Sequence, residues 1–142
     1  MLVIATREFS VTYQLNLEPA EIARCREQVR KVLPGWGLGE HVDTAELIVG
    51  ELATNAQRHT SYVVEICLSY DGRDLRVEVW DSSDCIPVSR QPAAGDEVGR
   101  GLLIVDGLAE DYGGTRGVMS QGTRAGKVVY VILPIQLPNG HP

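Results

Sequence analysis

The chain has 142 residues, 44% hydrophobic and 23% charged, and its 13 Lys+Arg against 19 Asp+Glu leave a formal net charge of −6. A chain of this length buries roughly 68–70% of its unfolded surface, so one globular domain over residues 1–142, with a core from about 9 to 133, is expected and a disordered chain is excluded. Net acidity argues against direct nucleic-acid binding, which draws on clustered Lys and Arg. The apolar stretch Leu2–Ala5 is too short for a signal peptide and no run reaches the ~20 residues of a membrane span, so a cytoplasmic protein with no membrane partner is expected.

In chain order, Phe9–Leu15 alternates apolar and polar residues and predicts a half-buried strand. Pro19 and the acids around it open a surface helix that stops at Pro34-Gly35, and a second helix runs from Val42 or Asp43 to His59. The runs Tyr62–Ser69 and Leu75–Trp80 flank Asp71-Gly72-Arg73-Asp74, the signature of a hairpin. Residues 81–98 are rich in Ser, Pro, Ala and Gly, too long for an ordinary connection and therefore a functional or mobile loop. Gly101–Asp111 reads as a third helix closed by Gly113-Gly114, and Thr115–Ser120 and Lys127–Leu133 as two final strands around Gly122–Gly126. Short turns between neighbouring strands predict an α/β two-layer sandwich with a mixed, largely antiparallel sheet and helices on one face. Cys25, Cys67 and Cys85 show no CxxC spacing. Cys25 and Cys67 are expected as buried small hydrophobes, and Cys85 in the loop.

Three local patterns carry chemistry. On the second helix, Ala45, Ile48, Val49, Leu52, Ala53 and Ala56 form one buried stripe, and Glu51, Asn55 and His59 line its edge at steps of four. A neutral amide oxygen suits Mg²⁺, and a carboxylate one turn earlier can take a proton from an attacking hydroxyl. Asp81 ends an apolar strand, where a carboxylate can accept a hydrogen bond from the exocyclic amine of adenine. Gly99-Arg100-Gly101-Leu102 opens the third helix, where backbone N–H groups and the positive dipole end favour phosphate. Each pattern alone also fits a bland role: a polar helix edge, an Asx turn, a helix start without ligand.

Taken in order, Glu51-Leu-Ala-Thr-Asn55-Ala-Gln-Arg-His59, Val79-Trp-Asp81 and Gly99-Arg-Gly101-Leu ahead of Val105-Asp-Gly-Leu-Ala resemble the histidine-kinase-like ATPase superfamily. More narrowly, they resemble its small anti-sigma-factor serine/threonine kinases and their actinobacterial relatives. The resemblance covers Phe9 to Leu133. It implies a Bergerat ATP-binding fold, with ATP and Mg²⁺ as cofactors. It assigns Asn55 to Mg²⁺, Glu51 to catalytic base, Asp81 to the adenine amine, and Gly99, Arg100, Gly101 and Leu102 to the phosphate side, beneath a lid from Pro87 to Val98. The implied partners are a sigma factor and an anti-anti-sigma antagonist protein, and a homodimer is consistent with the resemblance. Two departures mark this chain: Ser83 and Cys85 stand where the family commonly has glycines, and Gly126-Lys127 where it pairs Gly with Thr.

Three functions of different class follow. The chain is a protein serine/threonine kinase that also sequesters a sigma factor, a nucleotide-gated interaction module without turnover, or a sandwich with no ligand. Glu51 supports the first, and the missing glycines favour the second.

Overall fold

A computed structural model describes residues 7–14, 19–59, 63–82, 98–121 and 124–135. In chain order the elements are β1 (Arg7–Gln14), α1 (Pro19–Val32), two short 3₁₀ turns (Leu33–Trp36 and Gly39–His41), α2 (Val42–His59), β2 (Val63–Tyr70), β3 (Asp74–Asp81), α3 (Val98–Asp111), β4 (Thr115–Gln121) and β5 (Arg124–Pro134). The five strands form one sheet in the order β1-β2-β3-β5-β4. Every ladder is antiparallel, so no parallel pairing is realised among the described residues.

Strand alternation decides which face is covered. Along β3, Leu75, Val77, Val79 and Asp81 are buried, while Asp74, Arg76, Glu78 and Trp80 are only partly so. The same parity buries Val64, Ile66, Leu68 and Tyr70 of β2 and Val129, Val131 and Leu133 of β5. Against these side chains lies α2, whose predicted stripe is fully internal: Ala45, Ile48, Val49, Leu52, Ala53 and Ala56 are all at most 2% exposed. It touches α1, α3, β2 and β3 and is the central helix of the layer. Arg30 of α1 clamps its first turn, bonding Asp43 at 2.9 Å and also Glu46. α3 adds Leu102, Val105 and Ala109 to the core and is tied to β4 by the paired contacts of Arg116 with Asp106. The expected two-layer sandwich is thus the observed one.

Turn chemistry matches the expectations. Asp71 Oδ1 accepts from the backbone N–H of Arg73 (2.9 Å) and of Asp74 (2.8 Å), and Gly72 takes φ +93° in the β2–β3 hairpin. These N–H groups, Asp74 first and Arg73 second, hold the Asp71 carboxyl below its ordinary range. α3 ends in a glycine stop: Gly113 has φ +71° and the Gly114 N–H reaches back to the Ala109 carbonyl at 2.8 Å.

Two element starts and one burial differ from the sequence reading. α3 begins at Val98 rather than Gly101. The two glycines at 99 and 101 are tolerated because the first turn of a helix lacks intrahelical N–H partners anyway and packing on α2 overrides propensity. β5 begins at Arg124 rather than Lys127, because Gly126, at φ +92°, is absorbed within the strand. Cys67 is half-buried, since it points to the sheet face without helices, whereas Cys25 is internal as expected. Cys85 and Ser83 lie outside the described residues.

Candidate functional site

Two pairings bring together residues singled out from the sequence: Glu51 of α2 lies against Gly101 of α3, and Asp81 at the end of β3 meets Lys127 near the start of β5. Glu51 and Asn55 occupy successive turns of α2 beside its buried stripe. Glu51 is half-buried and Asn55 is 6% exposed. Because α2 and α3 pack together, the Glu51 carboxylate lies against the first turns of α3. A methyl group placed on Gly101 would sit 2.6 Å from Glu51 Oε2. No Cβ can approach that closely, so a glycine is what lets the carboxylate reach this place.

Of the backbone N–H groups that an α-helix leaves without intrahelical partners, those of Val98, Gly99 and Arg100 lie among the described residues. The Gly99-Arg100-Gly101 pattern is therefore the donor-bearing first turn itself rather than a turn leading to it. Leu102, assigned to the phosphate side by the resemblance, is 2% exposed and its side chain belongs to the core. The Arg100 and His59 side chains and the Pro87–Val98 lid lie outside the described residues, apart from the backbone of Val98.

Asp81 closes β3 on the helix-facing side and is 1% exposed. Its neighbour across the ladder is Lys127, and Lys127 Nζ donates to Asp81 Oδ1 at 2.9 Å. Gly126 makes this pairing close: a Cβ there would stand 2.0 Å from the Asp81 carbonyl oxygen. On the opposite face, Trp80 Nε1 donates to the Ala125 carbonyl at 3.0 Å, so both faces fasten the start of β5 to the end of β3. The sequence marks Lys127 only as a missing hydroxyl. Its partnership with Asp81 is the feature that motif reading misses, although strand parity places 127 with Val129, Val131 and Leu133 on the core face.

The donor set can be tested against a magnesium ion. Glu51 and Asn55 offer one anionic and one neutral hard oxygen ligand on adjacent turns, the type Mg²⁺ accepts while keeping several waters. No cluster of three or more His, Cys, Asp or Glu able to hold a metal by themselves exists among the described residues. The residues therefore suit an ion shared with a phosphate ligand rather than one caged by protein. A separate cleft of about 210 Å³, lined by His41, Asp111, Tyr112 and Pro134, lies at the other end of the strands, since Pro134 pairs with Asp74.

The arrangement is an antiparallel sheet under a helix layer, with a carboxylate of the central helix set against a glycine-bearing helix start. The family definition described as "Histidine kinase-like ATPase domain" matches residues 15–132, and the chain belongs to that family. Among solved structures it is similar to the blue-light activated histidine kinase of Erythrobacter litoralis, with 25% identity and a TM-score of 0.53, covering 81% of this chain and 41% of that one. The histidine kinase domain of the same protein gives 25% identity and a TM-score of 0.52, covering 85% of this chain and 61% of that one. The chain thus spans less than two thirds of either solved chain. No protein of curated function is detectably similar to it. Family and fold agree on a histidine kinase-like ATPase domain. Among the described residues no helix is long and apolar enough to cross a membrane.

Proposed function

We propose that the chain binds Mg·ATP at this site and transfers the γ-phosphoryl group to a serine or threonine of a small antagonist protein, while also sequestering a sigma factor. The supporting observation is the placement of the Glu51 carboxylate against the α3 start at Gly101, one turn from Asn55. In this reading the N–H groups of residues 98–100 at the Gly99-Arg100-Gly101 turn, with the Arg100 side chain, bind the phosphates, and Asp81 receives the base. Asn55 holds Mg²⁺, which neutralises charge on the phosphate oxygens when bound. Glu51 takes the proton of the incoming hydroxyl. Phosphoryl transfer otherwise depends on positioning and charge stabilisation, and a positioned base contributes about 10²–10⁴-fold.

A second reading, an ATP-gated interaction module without turnover, is favoured by one observation: an acceptor oxygen of Asp81 is already held by Lys127. Calorimetric titration with Mg·ATP followed by phosphotransfer to co-encoded antagonist proteins separates the two. Glu51→Gln is expected to bind Mg·ATP within a few-fold of wild type and to lose at least about 10²-fold in transfer. Wild-type protein that binds ATP, holds its partners and transfers no phosphate defeats the kinase reading and leaves the module.

A further inference from the structure

Lys127 and Asp81 are, with Asn55, the only buried polar or charged residues among those described. Their side chains are 5% and 1% exposed and face the helix layer where the base would enter. The pair is a product of backbone construction. Parity aligns 81 with Val79 and Val77, and 127 with Val129 and Val131, while the register sets the two residues opposite each other. Gly126 removes the Cβ that would hold the strands apart. A buried charge pair of this kind is strongly coupled, because removing either partner leaves the other uncompensated.

We propose that Lys127 is a built-in competitor for the base pocket, which sets the affinity for adenine and how far adenine is preferred over bases bearing a carbonyl in place of the amine. This inference rests on the reading of Asp81 as the base acceptor. The ammonium of Lys127 donates to Oδ1 of the carboxylate that an exocyclic amine would use, so an adenine amine has to displace or share it. A carbonyl-bearing base meets a different pocket. Its oxygen cannot bond a carboxylate but can accept from the Lys127 ammonium, which therefore lets such a base in. Thr, the residue the family pairs with Gly at this point, offers a neutral hydroxyl and brings no cation to the carboxylate.

Two substitutions push in opposite directions. Lys127→Thr uncovers Asp81 and is expected to raise Mg·ATP affinity about ten-fold or more, the scale of one charge-assisted hydrogen bond, with a smaller gain for Mg·ITP. Adding Asp81→Asn to Lys127→Thr is expected to remove that gain. Lys127→Arg keeps the buried cation and can engage both carboxylate oxygens, so it is expected to fold and to bind Mg·ATP several-fold more weakly than wild type. It carries the test if the Thr variant loses its fold. Calorimetry on the full chain reads all of these, with circular dichroism confirming the fold of each variant. Wild-type protein that binds Mg·ATP while the folded Thr and Arg variants bind it equally well, or shift the other way, overturns the inference and leaves the nucleotide reading intact. If wild type and both folded variants bind no nucleotide at millimolar concentration, the nucleotide reading falls and takes the inference with it.

Discussion

Gly101 offers the most direct test of how the site is assembled, because one methyl group separates stability from function there. A Cβ at this position would lie 2.6 Å from Glu51 Oε2 and 3.8 Å from Glu51 Cβ. The clash is with the far end of a flexible side chain, so Gly101→Ala is relieved by turning Glu51 away rather than by moving α3. Turning the carboxylate off its preferred rotamer costs about 0.5–1.5 kcal/mol. Alanine in place of glycine returns up to about 0.8–1 kcal/mol in a helix interior, and part of that in a first turn. The two nearly cancel, and the net change in stability is expected to stay within about 1 kcal/mol, or a few degrees in Tm for a domain of this size. Phosphotransfer, by contrast, is expected to fall by at least about 10²-fold, because the base no longer sits at the α3 start. In the Glu51→Gln background the same substitution should have little further effect on rate. Thermal melts and single-turnover transfer assays on wild type, each single variant and the double variant give the complete cycle. A Gly101→Ala protein that retains wild-type turnover, or loses several kcal/mol of stability, would refute the argument that this glycine exists to admit the carboxylate.

The remaining expectations concern other parts of the molecule. Asn55→Ala should abolish the difference between ATP titrations with Mg²⁺ and with EDTA while the melting profile changes little; full retention of Mg²⁺ dependence would place the ion elsewhere. Gly114→Ala contrasts with Gly101→Ala, because a Cβ there would meet the Ile132 carbonyl oxygen at 1.9 Å, which is backbone and cannot swing away; it should lower Tm by clearly more than Gly101→Ala does. The Asp71 carboxyl is held below its ordinary range by the Asp74 and Arg73 N–H groups, so its contribution is complete above the unfolded value of about 3.9 and disappears as pH falls through the lowered folded value. Asp71→Ala should therefore cost stability at neutral pH, by at most about 1 kcal/mol for so exposed a group, and the wild-type and variant denaturation curves should converge in strong acid.

Much of the fold was legible because burial follows simple periods. The six apolar positions of the α2 stripe repeat at helical spacing, and all six are internal. The Asp71-Gly72 turn announced the β2–β3 hairpin, whose register pairs Tyr70 with Leu75. Boundaries failed where glycine carries two meanings. Gly99 and Gly101 read as a turn before a helix yet lie inside its first turn, where missing hydrogen-bond partners make glycine's weakness inexpensive. Gly126 reads as loop but is a strand residue at positive φ, kept for a close backbone approach.

The placement of Glu51 and Asn55 was legible for a related reason. Residues on one element, such as Glu51 and Asn55, inherit their geometry from a single helical period, so spacing alone predicts that they share an edge. Residues that meet across elements do not. Asp81 and Lys127 are separated in the chain by α3 and β4, and only the β3–β5 register makes them neighbours. Motif comparison treats position 127 as a substituted hydroxyl, a local loss, whereas the ladder turns it into a cation bonded to the carboxylate proposed to receive the base. Parity alone narrows the choice: a lysine that shares its face with Val129, Val131 and Leu133 enters the core, and a buried ammonium requires a carboxylate within reach. On the β3 face that packs against the same helices, Asp81 is the only carboxylate, since Leu75, Val77 and Val79 fill the other positions. The departure from the family pattern at 127 is thus better understood as a change in what Asp81 bonds than as erosion of a box.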